Sequence, residues 1–367
     1  DCGTSGTGVA TLTSLTGGFT AAMVGNIIQL SSGTNLTTGW YEITAYTDTN
    51  TVTLDRAPDD GVGAVSFAVG KVGGALASLA IGTRATDNDI EEGNTIYVKS
   101  GTYTIDCSSL GDTSGTHLYV SNSFTHTYAI AGYYQTQGDL DDTIGSSHRP
   151  VFERGTTTGV SYIAQSAAAY GTMIVLRHLV FDAGGLNGVY SFWQYHDMKL
   201  SNTGYHGFLN GIAATCCEHA GGGGSTFGFA GMSYMFACVA KNVSNAGFQV
   251  HGKDAINCIA ESCGRGFYIS SGMSGAINCT AYNNTGHGFE ITGDSCVLTN
   301  CHSESNGDYG YKLLEDVSDG GMLINCSDYD NTSGRKQYST NATYNFYDVG
   351  PVSLSSSGIT SATDFTP

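Results

Sequence analysis

The stretch FACVAKN (236–242) returns as INCIAES (256–262), INCTAYN (277–283), LTNCHSES (298–305) and LINCSDYD (323–330). The cysteines of the five copies are Cys238, Cys258, Cys279, Cys301 and Cys326. Their separations are 20, 21, 22 and 25 residues. A period in the low twenties is typical of a solenoid, in which each repeat stacks on the one before it.

A glycine followed by an aromatic residue marks a second position in the same repeat. The aromatic residues that follow the first four cysteines are Phe248, Phe267, Phe289 and Tyr311. The interval from cysteine to aromatic residue is 10, 9, 10 and 10 residues, whereas the interval back to the next cysteine grows from 10 to 15. Insertions therefore collect on one side of the repeat. Phe208 and Phe229 extend the aromatic positions toward the N-terminus.

The alternation of side chains favours strands over helices. In INCIAES, a period of two places Ile256, Cys258 and Ala260 inward and Asn257 and Ile259 outward. The high content of Gly, Asn, Ser and Thr disfavours a helical repeat. Parallel stacking of such strands predicts an inner cysteine column, an inner aromatic column and an outer asparagine column. The asparagines of the outer column are Asn257, Asn278, Asn300 and Asn325.

This repeat resembles the right-handed parallel β-helix superfamily, which includes pectate lyases, other polysaccharide-degrading enzymes and phage tailspikes. The phrase NTIYVKSGTYTID (94–106) also looks like the first coil of many extracellular β-helix proteins. The resemblance implies an all-β fold, a right-handed parallel β-helix solenoid. It does not assign a function, because unrelated activities share this architecture.

Three regions are predicted along the chain. Residues 1–72 contain short strand-like runs such as GVATLTSL (8–15), which indicate a small N-terminal antiparallel β module. Residues 73–350 form the β-helix, and the apolar run GGALASLA predicts a short capping helix at about 73–82. Residues 351–367 form a C-terminal tail rich in Ser and Thr.

The composition excludes several classes of partner. A net charge of −18 with only 14 Lys and Arg disfavours nucleic acid, anionic membranes and acidic polysaccharides. No run of residues is long and apolar enough to insert into a membrane. Carbohydrate binding and self-association, as a homo-oligomer such as a trimer or as a filament, remain open. We expect an extracellular, cell-surface or virion location.

The chain contains 11 cysteines, an odd number. Because five of them recur once per repeat, we predict buried free thiols that act as small apolar core residues. Cys2 with Cys107, or the adjacent Cys216 and Cys217, could form a disulfide in an oxidising compartment.

Two rows of outward-facing residues are candidate ligand-binding surfaces. The row beside the aromatic column contains Gln249, Tyr268, Glu290 and Lys312, with His251 two residues after Gln249. The row beside the cysteine column contains Glu261 and Tyr282, followed by His302 and Glu304. Tyrosine rings stack on the apolar faces of sugars and polar neighbours hold sugar hydroxyls, so both rows suit a glycan. A plain solvated face explains the same residues.

Glycosidase chemistry needs two carboxylates roughly 5 to 9.5 Å apart. Glu261 and Glu304 lie two coils apart, near the upper end of that range, and Glu290 is a further candidate. Gly286, His287 and Gly288 look like the short Gly-His-Gly motif of polygalacturonase-type hydrolases. The other motifs of those enzymes do not appear in the expected order, which leaves a catalytic role of His287 in doubt, and Gly288 already has a place as a column glycine.

The DLDD loop is the second candidate active region. Asp139, Asp141 and Asp142 are weak candidates for binding a Ca²⁺ ion, although a solvated loop explains them equally. Arg149 is a candidate base for a lyase at this loop, together with Arg154 and Arg177. Ca²⁺ is the one cofactor that the sequence leaves open.

Two functions follow from these observations. The first is a non-enzymatic extracellular or virion-surface β-helix that acts in adhesion, fibre assembly or glycan binding, because no complete catalytic constellation is present. The alternative is a polysaccharide depolymerase, either a lyase or a glycoside hydrolase, with its site on the outer face of the β-helix. The sequence favours the first.

Overall fold

The computed structural model describes residues 2–4, 7–25, 27–37, 39–58, 66–71, 95–105, 116–120, 128–135, 138–154, 161–165, 174–185, 187–190, 194–204, 206–221, 227–270, 272, 274–313, 321–337 and 347–349. The chain divides into two compact units, Asp1–Gly82 and Thr83–Pro367. The predicted capping helix at 73–82 and the predicted tail at 351–367 lie outside the described residues.

The described residues of the first unit form six strands and one 3₁₀ turn, Ala21–Met23. The strands are β1 (Cys2–Gly3), β2 (Thr11–Ser14), β3 (Ile27–Thr34), β4 (Gly39–Asp48), β5 (Thr51–Leu54) and β6 (Ser66–Lys71). They pair antiparallel in the order β1-β2-β5-β4-β3-β6 and close into a barrel. Alternate residues such as Leu12, Ile28 and Val52 fill its core. The predicted antiparallel β module is confirmed.

The second unit contains 29 described strands, which are short because each forms one side of a coil. They are β7 (Thr95–Lys99), β8 (Thr102–Ile105), β9 (Thr116–Val120), β10 (Tyr128–Tyr133), β11 (Val151–Arg154), β12 (Ser161–Gln165), β13 (Ile174–Arg177), β14 (Val180–Asp182), β15 (Asn187–Tyr190), β16 (Gln194–His196), β17 (Lys199–Ser201), β18 (His206–Leu209), β19 (Ala213–Thr215), β20 (Glu218–Ala220), β21 (Phe227–Phe236), β22 (Val239–Lys241), β23 (Ala246–Ile256), β24 (Ile259–Glu261), β25 (Arg265–Ile269), β26 (Gly275–Ile277), β27 (Thr280–Tyr282), β28 (Phe289–Ile291), β29 (Val297–Thr299), β30 (His302–Glu304), β31 (Tyr311–Leu313), β32 (Met322–Ile324), β33 (Ser327–Tyr329), β34 (Lys336–Gln337) and β35 (Tyr347–Val349).

These strands form a parallel β-helix, as the repeat predicts. One sheet has 10 strands and the other has 19, and the pairings in both are parallel. In a typical coil, β24 lies in the 10-stranded sheet, and β25 and β26 lie on two successive sides of the 19-stranded sheet. Among the described residues, no helix is long and apolar enough to cross a membrane.

The aromatic column fills the core of the solenoid. Neighbouring rings of Phe229, Phe248, Phe267, Phe289 and Tyr311 stack with centroids 4.7 to 5.2 Å apart. Each burial of such a side chain contributes roughly 1.5–3 kcal/mol. Because parallel strands place like residues at the same height, one favourable contact is repeated in every coil.

The cysteine column is also present, and its thiols are buried and form no disulfide among the described residues. Each donates to a backbone carbonyl of a neighbouring coil or strand end, as Cys279 does to Ala255 at 3.3 Å. Burial raises the pKa of the Cys238 thiol well above its usual value, which keeps it protonated. Cys216 and Cys217 are also free, so the predicted alternative of a bridge between them is wrong. Cys107 lies outside the described residues.

The segment INCIAES does not form the single alternating strand that its pattern predicts. Asn257 has a φ of 55° and forms a corner between β23 and β24. Ala255 is therefore the buried residue before the corner, and Ile256 is only half-buried. Asparagine suits this position because its short polar side chain tolerates the left-handed conformation.

The outer asparagine column is confirmed as a ladder at these corners. Asn278 donates to Asn257 at 3.2 Å, and Asn325 donates to Asn300 at 2.8 Å. A second ladder inside the solenoid was not predicted. There Asn284 donates to the Oδ1 atom of Asn306 at 2.8 Å, and Asn306 donates to that of Asn331 at 2.8 Å. Both ladders satisfy polar groups where the backbone turns away from the sheets.

Candidate functional site

The predicted row beside the aromatic column lies on one outer side of the 19-stranded sheet. Gln249, Tyr268, Glu290 and Lys312 pair in register on β23, β25, β28 and β31. This row brings a carboxylate, an ammonium group, an amide and a phenol together, because neighbouring parallel strands are only about 4.8 Å apart.

Glu290 is not exposed to solvent, although its position in the row faces outward. It is 7% exposed, and the side chains of Arg265 and His287 lie against it. Arg265 donates to Glu290 Oε1 at 2.8 Å and also hydrogen-bonds to Asn245. The same guanidinium lies 4.5 Å from the centre of the Tyr268 ring and covers one face of it. Tyr268 therefore does not offer that face to a sugar.

His287 lies beside Glu290 and is buried. Its Nε2 atom is 3.8 Å from Glu290 Oε2, and its Nδ1 atom is 3.4 Å from Asp308 Oδ2. Nδ1 is buried and makes no hydrogen bond to the described residues. Burial, and next the positive charge of Lys312, lower the pKa of His287, so the imidazole is neutral at neutral pH.

We call this group the His287 cluster. Its members are Asn245, Arg265, Tyr268, His287, Glu290, Asp308 and Lys312. It combines two carboxylates, a neutral imidazole and two cations on one outer side of the solenoid. Such a combination can position a hydroxyl or a water molecule and move a proton.

Two glycines hold His287 in place. A Cβ atom on Gly288 would lie 2.1 Å from Ser303 Oγ, and one on Gly286 would lie 2.6 Å from the carbonyl oxygen of Gly264. Only glycine lets the chain pass this close to the neighbouring coils. The Gly-His-Gly motif thus has a packing reason on both sides, and the same close packing buries the imidazole.

The predicted row beside the cysteine column lies on the other sheet. Glu261, Tyr282 and Glu304 pair in register on β24, β27 and β30 of the 10-stranded sheet. Lys241 lies 3.3 Å from Glu261, and His302 Nε2 lies 3.1 Å from Glu304 Oε2. Glu261 and Glu304 are thus two strands apart, as predicted.

The candidate catalytic residues are therefore not brought together in one site. Glu290 belongs to one sheet, and Glu261 and Glu304 belong to the other. Of the remaining predicted ligand-binding residues, Gln249 is half-buried in the row of Glu290, and His251 is exposed with its Nδ1 atom 3.2 Å from Ser270 Oγ.

The three aspartates of the DLDD loop have three different environments. Asp139 accepts hydrogen bonds from the backbone N–H groups of Tyr134 and Gln135 at 2.8 and 2.7 Å. Asp141 contacts His178, and Asp142 is exposed. Among the described residues, no group of three or more His, Cys, Asp and Glu side chains could hold a metal ion.

Arg149 is buried and does not lie open beside Asp142, where a lyase base would be needed. Its Nη2 atom donates to Asp197 Oδ1 at 2.8 Å. Asp197 Oδ2 is 2.9 Å from His178 Nδ1, and His178 Nε2 is 3.1 Å from Asp141 Oδ1. We call these four residues the corner network.

The corner network attaches the loop of residues 138–149 to the solenoid. His178 and Asp197 have φ values of 57° and 48° and occupy the corner position that asparagine takes in later coils. Gly145 of the loop also donates its backbone N–H to Asp197. Sequence reasoning missed Asp197 and His178. Their alignment with the asparagine corners, 19 residues apart, is the signal that could have identified them.

Comparison with known proteins finds distant structural similarity and no matching family. No family model matches the chain, and no curated protein matches it. Among solved structures, the chain is similar to the A-module of the Azotobacter vinelandii mannuronan C-5 epimerase AlgE4, with 14% identity, a TM-score of 0.48 and coverage of 66% of this chain and 71% of that chain.

The chain is also distantly similar to two further solved structures. The A-module of the Azotobacter vinelandii mannuronan C-5 epimerase AlgE6 has 13% identity and a TM-score of 0.42, with coverage of 70% of this chain and 91% of that chain. The catalytic domain of a GH87 alpha-1,3-glucanase in complex with nigerose has 10% identity and a TM-score of 0.36, with coverage of 95% and 88%.

Proposed function

We propose that this protein is a polysaccharide depolymerase of the glycoside hydrolase type, with its active site at the His287 cluster. The observation that carries the proposal is the position of His287 between two carboxylates. Glu290 Oε2 lies 3.8 Å from one ring nitrogen and Asp308 Oδ2 lies 3.4 Å from the other. The two carboxylate oxygens are separated by these two contacts and the width of the imidazole ring. Their separation therefore stays within the upper limit of roughly 9.5 Å that glycosidases use.

In this proposal one carboxyl group of the pair takes a proton from the attacking water, and the other gives a proton to the leaving glycosidic oxygen. The bond between water oxygen and the anomeric carbon forms as the glycosidic C–O bond breaks, so protons and electrons balance. Arg265 fixes one oxygen of Glu290 and leaves the other toward the reaction. His287 acts as a positioning residue between the two carboxylates.

A neutral glycan fits this site better than an acidic one. The guanidinium of Arg265 is already bound to Glu290 and Asn245, so it is not free to neutralise a sugar carboxylate. The net charge of −18 adds long-range repulsion toward polyanions.

The test is a screen of the purified protein on neutral and acidic polysaccharides, with reducing ends as the readout. We expect cleavage of a neutral substrate, and a loss of roughly 100-fold or more for Glu290→Gln and for Asp308→Asn. Glu218→Gln is the matched control, because Glu218 pairs with Lys199 on the other sheet, outside the His287 cluster, and its variant should keep full activity.

Two results would contradict the hydrolase. Products with an unsaturated sugar, detected by ultraviolet absorbance, would identify a lyase. Equal loss of activity in Glu218→Gln would show that the loss does not depend on the His287 cluster.

The non-enzymatic surface β-helix remains the competing prediction. It expects glycan binding without new reducing ends, or a specific trimer or filament in light scattering and electron microscopy. Its support is the regularity of the coils, which leaves long flat faces available for adhesion.

A further inference from the structure

We propose a second glycan-binding site on the outer face of the 10-stranded sheet, formed by Tyr282 and Tyr329. These residues, which we call the tyrosine pair, lie on β27 and β33 with Glu304 on β30 between them in the same register. Tyr282 is 40% exposed and Tyr329 is 66% exposed. Two strand spacings place their Cα atoms roughly 9.6 Å apart.

The tyrosine pair replaces a different pattern in the earlier coils of the same face. There the outward positions form ion pairs between neighbouring strands. Lys199 is 3.4 Å from Glu218, and Lys241 is 3.3 Å from Glu261. From β27 onward the face exposes aromatic rings instead. A solvated face has no need of two large exposed rings in one row, and such rings at a fixed spacing point to a ligand.

Polar groups between the rings are held in a fixed arrangement. His302 Nε2 is 3.1 Å from Glu304 Oε2, and His302 Nδ1 is 2.9 Å from Ser327 Oγ. Both side chains are about one-third exposed, so they can exchange hydrogen bonds with hydroxyl groups of a ligand. Rings that accept the apolar face of a sugar, with hydrogen-bonding groups between them, are typical of carbohydrate recognition.

The charge of this region selects a neutral glycan. The 10-stranded sheet also carries three carboxylates here, Glu261 on β24, Glu304 on β30 and Asp328 on β33. The nearby cations are already paired, Lys241 with Glu261 and Arg335 Nε with Asp328 Oδ1 at 3.3 Å. An acidic polysaccharide or a nucleic acid would meet repulsion here.

The ligand we infer is an extended neutral polysaccharide that crosses the strands along the solenoid axis. In that direction β27 and β33 present a tyrosine on either side of β30, so two sugars stack on the rings and the sugar between them meets Glu304 and His302. This site lies on a different sheet from the His287 cluster and does not depend on the proposed hydrolase.

The experiment measures binding of hydroxyethyl cellulose, dextran, galactomannan and polygalacturonate by affinity electrophoresis. It uses the full chain carrying Glu290→Gln, so that cleavage does not consume the probe. We expect Tyr282→Ala and Tyr329→Ala each to weaken binding of one neutral probe by roughly 2- to 10-fold, and the double variant to weaken it further. Tyr234→Ala is the matched control, because Tyr234 is 39% exposed on β21 of the other sheet.

Three results would overturn the inference. They are unchanged binding by the double variant, binding of polygalacturonate alone, and a dimer of the wild-type chain that the double variant no longer forms while neither binds a neutral probe. Reducing-end assays on the chain without Glu290→Gln keep this test separate from the proposed function. If no substrate is cleaved but the tyrosine variants still lose binding, the hydrolase is wrong and the second site stands.

Discussion

The His287 cluster and the corner network contain the same chemical groups but use them differently. Each has an arginine bound to a carboxylate, and each has a histidine between that carboxylate and a second one. In the corner network, His178 uses both ring nitrogens at 2.9 and 3.1 Å. In the His287 cluster, the corresponding distances are 3.8 and 3.4 Å.

The difference shows how hydrogen-bond satisfaction separates a structural site from a reactive one. Asp197 is fully buried and accepts from Arg149, from the Gly145 backbone and from His178, so its bonds serve to hold a loop. His287 is buried and makes no short hydrogen bond to the described residues, which is unfavourable for stability. A ligand hydroxyl can supply this missing hydrogen bond.

The largest effect is expected for Asp197→Ala. Removal of this carboxylate leaves Arg149 and His178 buried without their partner, which should lower the free energy of unfolding by roughly 3–5 kcal/mol. Urea unfolding of the variant and the parent protein measures the change. A loss below about 1 kcal/mol would show that the corner network does not hold the loop in solution.

A smaller effect on stability and a larger one on catalysis are expected for His287→Gln. Because His287 makes no short hydrogen bond, the free energy of unfolding should change by less than about 1 kcal/mol. The rate of glycan cleavage should fall roughly 100-fold, since the two carboxylates lose the group between them. The check is kcat and KM side by side with urea unfolding. Full activity in this variant would show that His287 has no role in glycan cleavage.

A change in the pKa of His287 is expected for Lys312→Ala. Burial and the charge of Lys312 both hold this pKa below 6.5, so removal of the ammonium group should raise it. Titration of the imidazole by nuclear magnetic resonance measures the shift, with Lys253→Ala as a control of equal charge. The lowered pKa also makes stability depend on pH. His287 binds a proton more readily in the unfolded chain than in the folded one, so the free energy of unfolding falls as the pH drops below 6.5. Lys312→Ala should reduce that loss.

The smallest effect is expected for Asp142→Asn. Asp142 is exposed and lies beside the corner network without an ion pair among the described residues. Its substitution should change the free energy of unfolding by no more than about 0.5 kcal/mol and should leave glycan cleavage unchanged. A large loss of activity would show that the DLDD loop contributes to the active site.

Much of the fold could be predicted because a parallel solenoid repeats the same contact in every coil. The spacing of Cys258 and Phe267 in one repeat determines which residues lie above them in the next, so both columns follow from counting. The register of Tyr268 with Glu290 follows in the same way. The placement of Ile256 did not follow, since an alternation rule cannot see that Asn257 turns the chain.

The candidate site was predicted only in part. Counting gave the outward position of Glu290 but not its burial, which depends on where Arg265 of β25 and His287 of the turn before β28 place their side chains. The Gly-His-Gly motif indicates His287, but no sequence pattern indicates its neighbours Asp308 and Asn245. Their contacts cross from turn to turn, and turns vary in length between coils.

The sequence by itself determined the parallel β-helix, its aromatic and cysteine columns, its outer asparagine ladder and the residues that share an outward row. These features follow from local alternation and a nearly constant period, which act identically in every coil. Only the tertiary structure decided that Arg149 meets Asp197, 48 residues away, and that His287 lies between Glu290 and Asp308. Such contacts depend on the paths of loops and turns, which no repeat fixes.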